Sequence, residues 1–262
     1  MPICAVMMRG DTGGRLTLKY EKHNQANPPV PACAMDTISI PGFNDPFSSL
    51  SHLVGALVFL IYGVKLIYQA RFNQGWAVAV TVFVLSGVFL LSMSGIFHLL
   101  EQQNAGRGVL QRLDHAGIFA VIAGTFTPVH TILFTGFWRW GFLILIWSLA
   151  IAGIVLKSIY FNDLAEWIGL VAYLGLGWLG ILSAYLTHRL HGFTILKPLI
   201  YGALAYTIGA GIEFLRLPVV ITGVIGAHEL FHIAVLAGLA WHWQFIRDLL
   251  LMKQEELAKQ TN

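Results

Sequence analysis

Two histidines near the C-terminal end of the chain have the spacing of a helical metal site. His228 and His232 are separated by about 400° of helical rotation, so their side chains project from one face, about 6 Å apart along the axis. Two such imidazoles can bind the same tetrahedral zinc ion, at about 2.0 Å from each nitrogen. Because the chain has only two cysteines, Cys4 and Cys33, we expect histidine and carboxylate ligands instead of a thiolate cluster.

A second polar pattern supplies a third ligand and the groups around it. Ser94 and His98 are also four residues apart, at the end of another apolar stretch, and Asp114 opens the next one. With His98 as the third ligand, the fourth zinc position stays open for water, as in catalytic zinc sites. Zinc lowers the pKa of such a water toward about 7. We expect Asp114 to orient this water and carry its proton, with Ser94 as a hydrogen-bond partner, so the predicted chemistry is hydrolysis.

The elements that must position these residues are membrane helices. Of the 262 residues, 56% are hydrophobic and 11% are charged, whereas a soluble domain carries about 25% charged residues. Apolar stretches of about 20 residues match a hydrocarbon core of roughly 30 Å. The net charge of +3 comes from scattered basic residues, so no nucleic acid partner is indicated. We predict an all-α bundle of seven transmembrane helices, at 49–69, 77–100, 113–134, 141–157, 167–187, 195–214 and 225–246.

The predicted spans define a transmembrane domain over 48–247, between a polar, disordered tail over 1–47 and a short polar tail over 248–262. Because successive spans cross the membrane in opposite directions, the end of the second span and the starts of the third and seventh lie at one membrane face. The zinc site is therefore predicted between helices 2, 3 and 7. Lysine and arginine are evenly divided between the two sides, so the positive-inside rule does not set the orientation. Glycines of the fifth and sixth spans predict close helix packing: Gly175, Gly177, Gly180, Gly202, Gly209 and Gly211.

Each polar residue also has a purely structural explanation. A single membrane histidine more often bonds a neighbouring helix than a metal, and we expect this of three residues: His52, His115 and His130. Asp114 could instead favour its helix N-terminus through the dipole, and Ser94 could bond its own backbone. Glu213, near the end of the sixth span, is expected to be an interfacial charge. For His98, His228 and His232, spacing and membrane level agree, which favours a metal.

The segment from His228 to His232 also matches H-E-x-x-H, in which Glu229 would be the general base of a zinc protease. Intramembrane zinc proteases place this motif in an early helix and take a third ligand from an aspartate in a later one. Here the motif lies in the last predicted span, and the aspartate that follows it, Asp248, lies beyond that span. A protease is therefore disfavoured.

Several short motifs between about residues 44 and 246 occur in a specific combination. They are Ser51-His52, Ser94-x-x-x-His98, Asp114, the run Ala-Gly-Thr-Phe-Thr-Pro at 123–128, and His228-x-x-x-His232. Together they resemble the haemolysin III family. That family is grouped with the progestin and adipoQ receptors, including the adiponectin receptors, and more distantly with alkaline ceramidases.

The resemblance implies a seven-helix protein of the plasma membrane, the inner membrane in bacteria, with a cytoplasmic N-terminus. It implies zinc near the inner face, held by His98, His228 and His232, with Asp114 and Ser94 around the metal water. The implied activity is hydrolysis of a membrane lipid amide such as a ceramide. Two alternatives remain: a receptor or regulator of lipid state with structural zinc, and the pore-forming cytolysin of the family name. The last is least favoured, because the sequence has neither a charged pore-lining stripe nor an amphipathic insertion segment.

Overall fold

The computed structural model describes residues 45–101, 104–221 and 225–261. The tail predicted over 1–47 lies outside the described residues up to position 44. The described part of the chain folds into eight α-helices, with a short 3-10 turn at Thr194–Leu196 before the seventh. The helices are α1 (Pro46–Ala70), α2 (Gln74–Leu99), α3 (Arg107–Leu133), α4 (Gly136–Ile159), α5 (Glu166–Trp178), α6 (Gly180–His191), α7 (Lys197–Leu215) and α8 (Ala227–Thr261).

Six helical segments in the described residues are long and apolar enough to cross a membrane. The shortest has 22 residues, which is about 33 Å of helix and covers a hydrocarbon core of roughly 30 Å. The chain is therefore an integral membrane protein. The segments are α1, α2, α3, α4, α5 together with α6, and the 3-10 turn together with α7. The seventh predicted span falls in α8, whose first turns carry polar residues that lower its hydropathy; its membrane crossing stays a prediction.

The fifth predicted span is divided into two helices at Leu179, which lies in a turn between Trp178 and Gly180. Glycine weakens a helix by about 0.5–1 kcal/mol relative to alanine, and three glycines surround this break. The predicted close packing does not hold for two of them, since a Cβ at Gly175 or Gly177 would meet nothing within 4 Å. In the sixth span the prediction holds at Gly209, where a Cβ would lie 2.5 Å from Ala234 of α8.

Helix α3 lies at the centre of the bundle. In its apolar 18-residue stretch, 61% of the residues are buried inside the protein, against 17% to 44% in the other five segments. It packs against α2 and α4, while α1 packs against α2 and α8, and α7 runs along α8. A Cβ at Gly117 would lie 2.9 Å from the Cα atom of Leu90, so the α2 and α3 backbones approach closely. This contact is one turn from Asp114 and fixes the distance between the two helices that carry Ser94 and Asp114.

Helix α8 extends well beyond its predicted span and through most of the residues predicted as a polar C-terminal tail. Leu249 and Leu250 are fully buried and belong to the main apolar core. The side-chain amide of Gln254 donates a hydrogen bond to the backbone oxygen of Gln69, at 2.8 Å. The end of α8 therefore packs against the end of α1, and this contact holds the two helices together at the opposite end from His228.

Candidate metal centre

Three imidazole rings from two helices meet at one end of the bundle. His98 lies in the last turn of α2, while His228 and His232 lie in the first two turns of α8. The Nε2 atom of His228 is 3.2 Å from Nε2 of His98 and 3.1 Å from Nε2 of His232. Ligands of a tetrahedral zinc ion, each about 2.0 Å from the metal, are about 3.3 Å apart. The cluster can therefore hold a metal ion.

The outer nitrogens of two of these rings contact carboxylates. Nδ1 of His98 lies 3.0 Å from Oδ2 of Asp45, and Nδ1 of His228 lies 3.4 Å from Oε2 of Glu213. A carboxylate acceptor places the ring proton on Nδ1 and leaves a lone pair on Nε2. The Nε2 atoms of His98 and His228 lie 3.2 Å apart, where two such lone pairs repel unless a cation lies between them. The donor set therefore fits a metal ion.

Asp114 and Ser94 lie beside the cluster. The buried Ser94 side chain hydrogen-bonds the Asp114 carboxylate, and that carboxylate interacts electrostatically with His228. Asp114 does not belong to the group of ligand atoms that lie within 4.8 Å of one another. The structure thus places Asp114 outside direct coordination of an ion held by the three rings. This position is compatible with contact through water, and the catalytic role stays a prediction.

Comparison with known proteins identifies the family. A family model described as haemolysin-III related matches residues 42–243. The chain belongs to the haemolysin III family. It is similar to hemolysin-3 of Bacillus cereus, at 32% identity over 201 residues, which cover 74% of this chain and 85% of that protein. It is also similar to a hemolysin-3 homolog of Bacillus subtilis strain 168, at 31% identity over 172 residues, or 62% and 76% of the two chains. The resemblance predicted from the motifs is confirmed.

In this haemolysin III protein, the start of α1 lines the histidine cluster. The His52 ring stacks on His232 with 3.9 Å between centroids and 25° between planes. Nε2 of His52 also lies 3.4 Å from the backbone oxygen of His232. The Ser49 hydroxyl donates to the backbone oxygen of Gly95 in α2, at 2.9 Å. His52 is thus an interhelical group, as expected, and α1 connects the two helices that carry the rings.

Two other histidines that the sequence predicts to be structural lie outside the cluster. Nδ1 of His115 is 2.8 Å from the backbone oxygen of Gln111 in its own helix. His130, at the far end of α3, is fully buried, with Nε2 2.8 Å from the Ser183 hydroxyl and Nδ1 2.5 Å from the backbone oxygen of Trp138. Both nitrogens of His130 thus have partners on neighbouring helices, as expected, whereas His115 bonds its own helix and not a neighbouring one.

Sequence reasoning missed two residues that contact the histidines of the haemolysin III site, and a tyrosine that packs against α3. Asp45 falls in the segment predicted as a tail and lies one residue before the start of α1, so helical spacing gives no signal for it. Glu213, expected to be an interfacial charge, instead contacts His228. Tyr173 of α5, whose buried hydroxyl has no hydrogen-bond partner among the described residues, packs against Phe119 of α3 with 4.6 Å between ring centroids. No local sequence signal indicates Tyr173, because α5 meets α3 only through tertiary packing.

Proposed function

We propose that this haemolysin III protein is a zinc-dependent hydrolase of membrane lipid amides. The observation that carries the proposal is the convergence of three Nε2 atoms, with 3.2 Å between His228 and His98 and 3.1 Å between His228 and His232, beside the buried Ser94 and the half-buried Asp114. Three imidazoles with one open position are typical of catalytic zinc. The proposal includes seven spans, with α8 as the last, zinc between α2, α3 and α8, and a cytoplasmic N-terminus in the plasma membrane.

Zinc, when bound, would supply Lewis acidity and a water molecule with a pKa near about 7. Asp114 takes a proton from the attacking water, and the Ser94 hydroxyl donates its single proton to the Asp114 carboxylate and holds it in place. The water oxygen bonds to the carbonyl carbon and the C–N bond breaks. The proton held by Asp114 passes to the departing nitrogen, so one water and one amide give a carboxylic acid and an amine.

The membrane setting supports a lipid substrate. Helix α5, which packs against α3 through the rings of Tyr173 and Phe119, exposes three apolar side chains near its start: Trp167, Ile168 and Val171. An acyl chain can lie along such a surface within the bilayer while its polar group enters the site. A ceramide-like amide fits this arrangement, with the amide at the level of the histidines and the chain among the helices.

The decisive experiment couples metal analysis to a lipid hydrolysis assay on purified protein. We expect one zinc per chain, release of ceramide-derived fatty acid, and loss of both after treatment with a chelator. His228→Ala should lose zinc and hydrolysis together. His188→Ala is the matched control, because His188 is exposed at the end of α6 and outside the cluster. Hydrolysis that persists in purified His228→Ala would contradict the proposal.

A receptor or regulator of lipid state with structural zinc is the second candidate. It is favoured by the contacts of the cluster, which joins α2 and α8 directly and α7 through Glu213. Here zinc removal would lower thermal stability, and no lipid amide would be cleaved by the zinc-loaded protein. The name of the Bacillus cereus relative indicates a third activity, membrane lysis. Liposome leakage that is insensitive to chelators would favour it.

A further inference from the structure

Asp45 occupies the N-cap position of α1 without capping that helix. An aspartate at this position usually accepts a hydrogen bond from the first turn of its own helix. The Asp45 side chain makes no such bond, and Pro46 follows directly. Its Oδ2 atom instead accepts a hydrogen bond from Nδ1 of His98, at 3.0 Å. The carboxylate is thus directed to a residue of another helix, 53 positions away in the chain.

A backbone hydrogen bond fixes the position of this carboxylate. The N–H group of Asp45 donates to the backbone oxygen of His98, at 3.1 Å. That oxygen is one of the last four carbonyls of α2, which have no partner within their own helix. Asp45 therefore holds both the backbone and the ring of His98. The two side chains are 21% and 5% exposed, so water competes little for the contact.

We propose that Asp45 is a positioning residue that raises the zinc affinity of the cluster through His98. The carboxylate holds the ring proton on Nδ1 and turns the lone pair of Nε2 toward His228, and its negative charge strengthens that nitrogen as a ligand. Loss of such a partner typically lowers metal affinity by about 10-fold to 100-fold. This inference rests on the zinc site of the proposed function but not on hydrolysis.

The second carboxylate provides an internal comparison. Glu213 lies 3.4 Å from Nδ1 of His228, and the side chains of this pair are 25% and 39% exposed. The contact is longer than that of Asp45 with His98 and does not have hydrogen-bond geometry, although Oε2 of Glu213 is itself buried. Glu213→Gln should therefore weaken zinc binding less than Asp45→Asn does.

The experiment measures zinc affinity of the full chain in detergent, by competition with a chelator, together with thermal stability of the metal-free protein. We expect Asp45→Asn and Asp45→Ala to weaken zinc binding about 10-fold to 100-fold, because an asparagine amide carries no charge and can donate to Nδ1. Asp45→Glu should recover part of the affinity. Ser51→Ala is the matched control, since the Ser51 hydroxyl donates to the backbone oxygen of Ser48 in its own helix. Cobalt absorption spectra should show altered ligand geometry in Asp45→Asn and Asp45→Ala but not in Ser51→Ala.

The outcomes separate this inference from the proposed function. If the wild-type chain binds zinc and Asp45→Asn binds it within about twofold, the positioning role is overturned while the metal site stands. A loss of metal-free stability in Asp45→Asn with unchanged zinc affinity would show a structural role and would also overturn it. If the wild-type chain binds no zinc, both the proposed function and this inference fail.

Discussion

The hydroxyl of Ser48 donates a hydrogen bond to the carboxylate of Glu229, at 3.2 Å, and so joins the first turn of α1 to the first turn of α8. The other carboxylate oxygen accepts the backbone N–H of Gly226, at 2.9 Å. Both oxygens of Glu229 are therefore engaged in holding helix ends. Although Glu229 stands between two proposed zinc ligands in the H-E-x-x-H motif, its contacts are those of a structural residue.

Replacement of Glu229 by glutamine tests this assignment. The amide oxygen of glutamine can still accept one of the two hydrogen bonds, so we predict zinc affinity and lipid hydrolysis within about threefold of wild type. A general base would instead lose about 100-fold to 10,000-fold in turnover. The measurement is turnover of the zinc-loaded protein on ceramide, with Asp114→Asn as the comparison that should lose activity. A collapse in Glu229→Gln with zinc retained would make Glu229 the base.

The histidine cluster could be predicted from the sequence because the spacing of its members is largely local. His228 with His232, and Ser94 with His98, are each four residues apart in one helix, so helical geometry alone places them on one face. The position of Asp114 could also be predicted. Because successive spans run in opposite directions, the start of the third span lies at the same membrane face as the histidines. The haemolysin III motifs are built from these same short patterns, which is why the family could also be predicted.

The partners of the ligands could not be predicted, since they depend on tertiary packing. Asp45 contacts His98 only because α1 begins beside the end of α2, and Glu213 contacts His228 because α7 runs along α8. On sequence grounds, Asp45 was assigned to a polar tail and Glu213 to an interfacial charge near the end of the sixth span. The break at Leu179 was missed for a related reason: hydropathy counts apolar residues over the whole span and does not register a single turn residue.

Gly117→Ala should weaken the site by separating two helices. A Cβ at this position would lie 2.9 Å from the Cα atom of Leu90, and backbone cannot move aside as a side chain can. We predict a loss of about 1–3 kcal/mol in stability, as for other overpacked positions, and weaker zinc binding, because α2 carries His98. Thermal unfolding and zinc titration provide the measurements.

Gly175→Ala is the control for that substitution. A Cβ there meets nothing within 4 Å, and alanine favours a helix by about 0.5–1 kcal/mol over glycine. Stability should be unchanged or slightly higher, with zinc affinity as in wild type. Equal losses in Gly117→Ala and Gly175→Ala would show that the contact with Leu90 is not what matters.

Ser183→Ala should destabilise the bundle without affecting the metal. The Ser183 hydroxyl is the partner of Nε2 of the fully buried His130, at 2.8 Å, and an unpaired buried polar atom costs about 1–3 kcal/mol. The 16 residues from Asp114 to His130 correspond to about 24 Å along α3. We predict a lower unfolding temperature and unchanged zinc affinity. Ser148→Ala, at an exposed position on α4, should change neither; a loss of zinc in Ser183→Ala would mean that the two ends of the bundle are coupled.

Substitutions of His52 distinguish ring packing from metal coordination. His52 stacks on His232, at 3.9 Å between centroids, and is itself buried. A stacked aromatic pair is worth about 0.5–1.5 kcal/mol beyond its buried area, which corresponds to a loss of up to about tenfold in zinc affinity in His52→Ala. Phenylalanine keeps a flat ring but has no nitrogen, so His52→Phe should retain most of the affinity and stability that His52→Ala loses.

Zinc titration and thermal unfolding of His52→Ala and His52→Phe, with His188→Ala as the control, decide between the two roles. Packing predicts that phenylalanine restores binding, because the three remaining imidazoles supply every nitrogen that the ion needs. If His52→Phe loses zinc as completely as His228→Ala does, then His52 must contribute a ligand nitrogen. The fourth coordination position would then be occupied by the protein, and no position would remain for water. A structural role of zinc would in that case explain the site better than hydrolysis does.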